Sequence, residues 1–427
     1  MLVSEVRIEN IKAFQGGELG VSLNFERPDG SLPRWVVIAG RNGAGKSTFL
    51  QALALAVAGP SAARTLRETF ADWVRDGADA GVAAARLRFS GGDGSAPERP
   101  SDPWAGLRWR RQPEGPEPAM EPARIGTEWE PARGPWSENP RGWFLVGYGP
   151  FRRLSLAPTE AQRLMMTPGR PASLASLFRD EAALSESILW LQQLYLRRLE
   201  NAPGAAAMER SVLRLLDDGL LPEGMRVTGV TSDGLWVRTP AGSELPLRSL
   251  SDGYRTVAAL VLDLVRQLFS AYGNLNPMPG SDRVAFAHEG VVLIDEIDVH
   301  LHVSWQQRIG FWFKEHFPNL QFFVSTHSPF ICQAADDRGL VRLPAPGEQG
   351  PARILDGELF NRIVTDDTIT EPEKQRLREI RTELPATPFR QPFTPEAATP
   401  RTKKRWKTMN TIATGMMVRI EPAIMTG

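Results

Sequence analysis

The sequence has one cysteine, Cys332. An intrachain disulfide is therefore excluded, and a reducing compartment is expected. Net charge is missing as well: 50 Lys and Arg balance 50 Asp and Glu. No global field draws such a chain to nucleic acid or to an acidic membrane, so any DNA contact must use a local patch. Long hydrophobic runs are absent, and the longest apolar stretches fall far short of a membrane span. The opening residues "MLVSEVRIEN" carry charge within the first five positions and hold no apolar signal core. These absences predict a cytoplasmic protein with no membrane contact.

The 427 residues are 42% hydrophobic, enough for a substantial core in two or three lobes. Residues 81–145 are crowded with Pro, Gly and Glu, as in "RRQPEGPEPAMEPARIGTEWEPARGPWSENPRGW", with strand candidates "VAAARLRF", "GLRWRR" and "WFLVGYG" between them. Together these predict a small antiparallel sheet with long loops. Helical spacing marks residues 173–218, where Ile188, Leu191, Tyr195 and Leu199 define one face. A hairpin with Asp233-Gly234 at its turn follows, and then a helix from about Tyr254 with Val257, Leu260, Val261, Leu264, Val265 and Leu268 inward. The expected organisation is a first part of the main domain over 1–165, a helical insertion over 166–225, a second part of the main domain over 226–345, and a partly disordered extension over 346–427. In that extension, "RTKKRWK" at 401–407 reads as a solvated tail, with phosphate-backbone binding as the alternative.

Three motifs carry chemistry. The apolar strand Trp35–Ala39 runs into Gly40-Arg41-Asn42-Gly43-Ala44-Gly45-Lys46-Ser47, with Thr48 opening a helix. This is the G-x-x-x-x-G-K-[ST] phosphate loop in its required strand–helix setting. Its amides are expected to face phosphate oxygens, Lys46 to reach the β- and γ-phosphates of ATP, and Ser47 to ligate Mg²⁺. The run Val291–Ile294 ends in Asp295-Glu296. Asp295 is placed to hold Mg²⁺ through water, and Glu296 to polarise the attacking water. His300 and His302 follow, but their spacing does not suit a zinc pair. The run Leu320–Val324 ends in Ser325-Thr326-His327-Ser328, which puts His327 in reach of a γ-phosphate. Ser251-Asp252-Gly253, in "LSDGYR", introduces the helix near Tyr254 without an obvious local reason.

In order and spacing, these motifs resemble the ABC-type ATPases, and within them the SMC, RecF and OLD-like branch of AAA-family ATP-binding proteins. "LSDGYR" is similar to that family's signature, "DEIDVHLH" to its Walker B and D-loop, and "STHSP" to its switch histidine. The similarity covers about residues 1–60 and 245–332. Val303 stands where the branch often has Pro, and Asp252 where the transporter signature has Gly. The Q-loop glutamine has no clear counterpart; Tyr148 and Arg152 lie where that loop should fall. The resemblance implies an α/β fold: a P-loop core with a central, mostly parallel sheet, an antiparallel β subdomain and a helical insertion. It also implies a homodimer joined head to tail through ATP, in which Ser251, Asp252 and Gly253 of one subunit cap the nucleotide of the other. The implied role is regulation of a nucleic-acid-directed process, in particular bacterial antiphage defence with a PtuA-like ATPase beside a partner effector or nuclease. A RecF- or SMC-like repair ATPase and a transporter's nucleotide-binding subunit are the alternatives. No nuclease motif is evident after residue 332.

Overall fold

Three adjacent apolar runs build the middle of the molecule. In the computed structural model, residues 1–89, 103–125, 131, 134–137, 142–150, 169–179, 184–221, 224–278 and 283–355 are described. All fall within one compact unit, Met1–Phe360. In chain order the strands are β1 (Leu2–Glu9), β2 (Val21–Asn24), β3 (Trp35–Ala39), β4 (Ala80–Arg88), β5 (Trp104–Gln112), β6 (Gly115–Pro122), β7 (Leu145–Tyr148), β8 (Arg226–Thr231), β9 (Gly234–Arg238), β10 (Glu244–Pro246), β11 (Gly290–Ile294), β12 (Leu320–Thr326), β13 (Leu340–Arg342) and β14 (Arg353–Ile354). The helices are α1 (Lys46–Leu66), α2 (Arg170–Phe178), α3 (Ser185–Leu199), α4 (Ala205–Asp217), α5 (Asp252–Tyr272), α6 (Val303–Gln306), α7 (Ile309–His316) and α8 (Pro329–Cys332).

The central sheet runs β14-β13-β3-β12-β11-β7, parallel except for β14. Its strands are apolar throughout because both faces are covered. Trp35, Val37, Phe322, Val324, Val292 and Ile294 face a core shared with α3, α4, α5 and α7. Their alternates Val36, Ile38, Phe323, Val291 and Leu293 face a second core shared with α1 and the antiparallel sheet β2-β1-β4-β5-β6. A small sheet, β10-β9-β8, completes the β structure. The expected α/β architecture is therefore present.

Three local expectations need correction. "WFLVGYG" does not join the small antiparallel sheet: its β7 pairs in parallel with β11, Tyr148 opposite Ile294. The Pro-rich stretch after Arg111 is not all loop, since β6 pairs with β5 there. Pro116, Pro118 and Pro122 are tolerated because β6 is an edge strand, where a missing N–H can face solvent. On α3, Leu191 and Leu194 are buried and Ile188 and Tyr195 pack partly, but Leu199 is 53% exposed.

α1 is broken at Gly59-Pro60, where Gly59 adopts φ 87°. Pro60 has no N–H to give to the carbonyl four residues back, that of Ala56. The indole of Trp136 supplies the donor instead, 3.0 Å from the Ala56 oxygen. Its ring occupies the space a Cβ on Gly59 would need.

Candidate active site at the edge of the central sheet

β3, β12 and β11 are neighbours, all parallel, so their carboxyl ends reach the same edge. That topology gathers the phosphate loop, the Asp295-Glu296 pair and His327, although they lie up to about 290 residues apart in sequence. After β3 the chain turns through Gly43 (φ 78°) and Gly45 (φ 90°) into α1. Gly45 has no room for a side chain: Phe14 Cζ stands 2.9 Å from where its Cβ would be. Arg41, Asn42 and Gly43 are exposed, Gly40, Gly45, Ser47 and Thr48 half-buried, and Ala44 and Lys46 buried. The Lys46 ammonium donates to the carbonyls of Gly40 (3.0 Å) and Arg41 (3.2 Å). Burial lowers its pKa from the ordinary lysine value, against the raising influence of Glu296, Asp295 and Asp298.

The acidic strand end is held by hydroxyls from β12. Because Ile294 lies opposite Val324, the next pair across the strands is Asp295 and Ser325. The Ser325 hydroxyl donates to the buried Asp295 carboxylate and accepts from the Glu296 amide at 2.8 Å. The Asp295 amide donates to the carbonyl of Tyr148 at 2.8 Å. Glu296 sits at φ 45°, a left-handed conformation that costs a glutamate about 1–3 kcal/mol and recurs where function needs it. Asp298 accepts from the Thr326 hydroxyl and, at 3.4 Å, from the His327 amide. Burial, and then Lys46, push the His327 imidazole below its ordinary pKa, while Asp298, Glu296 and Asp295 oppose the shift. The Gln306 amide donates to the Leu301 carbonyl (2.9 Å) and its oxygen accepts from Ser328 (2.6 Å), tying the loop after Glu296 to the loop of His327. Asp298, Gln306, Ser325 and Thr326 were not assigned from sequence. Continuing the β11–β12 register one residue past the strand ends is the signal that finds Ser325.

The signature lies elsewhere on the surface. α5 begins at Asp252, two residues earlier than its apolar spacing predicts, with Ser251 as its N-cap residue. Ser251 and Asp252 are exposed; the Ser251 side chain makes no capping bond, and the Asp252 carboxylate pairs with Arg255. Gly253 has a reason invisible in sequence. A Cβ built on it would sit about 1 Å inside ordinary van der Waals contact with the His300 carbonyl oxygen. His300 itself holds φ 66°. The imidazole of His302 is engaged with Ser304 at 2.9 Å, and Val303 opens α6 at the position where proline is common. Arg152, residues 346–427 beyond 355, and the basic run 401–407 lie outside the described residues.

Two families match the sequence. One, described as "AAA domain, putative AbiEii toxin, Type IV TA system", covers residues 151–333; the other, described as "AAA domain", covers residues 5–112. The chain is 42% identical over 97 residues to the Retron Ec83 probable ATPase of Escherichia coli, which is 22% of this chain and 16% of that protein. It is 25% identical over 356 residues to the Septu protein PtuA of Bacillus mycoides, 82% of this chain and 42% of that protein. The aligned parts are thus less than half the length of these relatives. A solved SmcHead, crystallised with the C-winged helix domain of ScpA, aligns with 84% of this chain and 98% of its own at 16% identity and a TM-score of 0.49. One AAA-domain match holds the phosphate loop and the other holds Ser251–Gly253, Asp295-Glu296 and His327, so every motif of the candidate site falls within a stretch similar to AAA domains.

Proposed function

We propose that the chain binds and hydrolyses ATP with Mg²⁺, and that two copies close head to tail over the nucleotides. The observation that carries this reading is the convergence of three motifs on one edge of hydrogen-bonded parallel strands. In this reading the amides from Gly40 to Thr48, including those of Arg41, Asn42, Gly43, Ala44 and Gly45, cradle the phosphates at the positive end of α1. Lys46 exchanges its loop carbonyls for β- and γ-phosphate oxygens. Ser47 and Asp295 are the residues that would hold Mg²⁺, which when bound neutralises phosphate charge. Two protein donors suit an ion that keeps several waters and takes phosphate oxygens. Among the described residues no cluster of three or more His, Cys, Asp or Glu forms an all-protein cage. Glu296, its amide pinned by Ser325, accepts a proton from the attacking water. His327, kept neutral near pH 7 by burial, donates to the γ-phosphate.

Exposed Ser251 and the amide of half-buried Gly253, at the start of a 21-residue helix, offer an anion site to a second copy. Closure then depends on ATP, and hydrolysis releases it. The process controlled is nucleic-acid-directed, with antiphage defence through a partner effector or nuclease as the favoured role; likeness to a Septu protein and to a retron ATPase supports it. Glu296→Gln tests the chemistry. ATP binding should persist, turnover should drop about 100-fold or more, and closed dimers should accumulate. Near-normal turnover would remove Glu296 from the role.

A further inference from the structure

One buried residue reaches both halves of this proposed machinery, one through its backbone and the other through its side chain. Tyr148 ends β7, opposite Ile294 of β11. Its carbonyl receives the Asp295 amide at 2.8 Å, the first backbone bond beyond the β7–β11 ladder. Its ring is 1% exposed, and its hydroxyl donates to Asp263 Oδ2 at 3.0 Å. Asp263 is also 1% exposed, and its Oδ1 accepts from Arg266 Nε (2.9 Å) and Nη2 (2.7 Å). Burial and the neighbouring carboxylate raise the phenol well above its ordinary pKa, so it stays a donor. Asp263 stands three turns, about 16 Å, along α5 from the residues that open the signature helix. Its neighbours on that helix, Leu260, Leu262 and Leu264, are buried and apolar. Placing a carboxylate, a guanidinium and a phenol among them is costly unless every partner is met, and a hydrophobic replacement is often at least as stable. Bulk stability alone does not call for this group.

We infer that Tyr148 is a positioning residue that fixes the acidic end of β11 to the signature-bearing helix, so that the state of the nucleotide bound by a chain sets the signature this chain offers to its partner. The inference rests on the composite-site reading above. Tyr148 touches neither nucleotide nor metal. Its carbonyl acts through Asp295 and its hydroxyl through Asp263.

The test uses the full chain in the Glu296→Gln background, reading nucleotide affinity with a fluorescent ATP analogue and dimer formation by sedimentation with ATP. Tyr148→Phe keeps the ring and the carbonyl and removes only the hydroxyl. Analogue affinity should stay within about threefold, while the protein concentration needed for half-dimerisation should rise about tenfold or more. Asp263→Asn, which still offers an amide oxygen to the phenol, should dimerise closer to the parent than Asp263→Ala does. In the wild-type background Tyr148→Phe should lower kcat with little change in KM. Failure of Glu296→Gln itself to dimerise would overturn the composite-site reading and this inference with it. Dimerisation unchanged by Tyr148→Phe would overturn the inference alone. So would a loss of analogue affinity as large as the loss of dimerisation, because Tyr148 would then serve only the fold.

Discussion

Gly253→Ala separates two reasons for a glycine in the signature. If glycine were needed only so that a partner's phosphate can approach, the nucleotide-free chain would tolerate alanine, and a helical position would gain a few tenths to about 1 kcal/mol from it. The fold predicts the opposite sign. The new Cβ meets a backbone carbonyl, that of His300, about 1 Å inside contact, and a carbonyl cannot swing aside like a flexible side chain. Either the start of α5 or the loop around His300 must retreat by about that distance. Overpacking of this kind costs about 1–3 kcal/mol, which exceeds the helix gain. At about 2–4 °C per kcal/mol for a large domain, the nucleotide-free Tm should fall by about 2–5 °C. ATPase turnover should fall further, since a misplacement of about 1 Å can cost a hundredfold in rate. Differential scanning fluorimetry without nucleotide decides the matter. An unchanged or raised Tm would refute the packing argument, whatever happens to turnover.

A mixed dimer of Lys46→Ala and Ser251→Arg chains has one site with both lesions and one with none; with random pairing and independent sites, coexpression should restore about a quarter of wild-type ATPase activity, and a dead isolated heterodimer would count against a signature acting in trans. Arg255→Ala frees the Asp252 carboxylate from its ion pair, so ATP-driven dimerisation should weaken modestly and recover at higher salt, as an exposed pair implies. His316 is fully buried against Trp312 and its pKa is lowered, first by burial, with Asp218 and Glu315 opposing and Arg283 reinforcing. Below its unfolded value of about 6.5 the unfolded chain takes up a proton that the folded chain resists, so stability should fall from pH 7 to pH 5.5, and His316→Asn should flatten that fall in thermal melts. The purified chain with Mg²⁺ and ATP should leave plasmid DNA intact in gel assays, with cleavage depending on an added partner.

The parts of this site legible in sequence are those with a short-range signature. Trp35–Ala39, Val291–Ile294 and Leu320–Val324 are each continuous apolar runs ending in distinctive polar residues, and each proved to be the strand expected. Long-range pairing is a different matter. Nothing in "WFLVGYG" says that its neighbour is β11 rather than β5, because both environments bury the same residue types. β6 was hidden because proline argues against a strand unless the strand is known to lie at an edge, which is a property of the whole sheet. Leu199 illustrates the limit of periodicity, since the inward face of α3 passes through Leu194 and leaves Leu199 beyond the last turn that packs. Asp298, Gln306 and Tyr148 matter through partners 28, 22 and 115 residues away, and no local pattern contains them.

The indole bond that mends α1 has a consequence for synthesis. Ala56 and Trp136 are 80 residues apart. On a ribosome adding about 5–20 residues each second, the phosphate-loop helix emerges about 4–16 s before the side chain that satisfies its break. Through that interval the Ala56 carbonyl has only water for a partner, and the turn after Pro60 cannot yet be locked against its neighbour. Newly made chains halted between these two points should therefore be cut by protease near Gly59, and chains extended past Trp136 should be protected there.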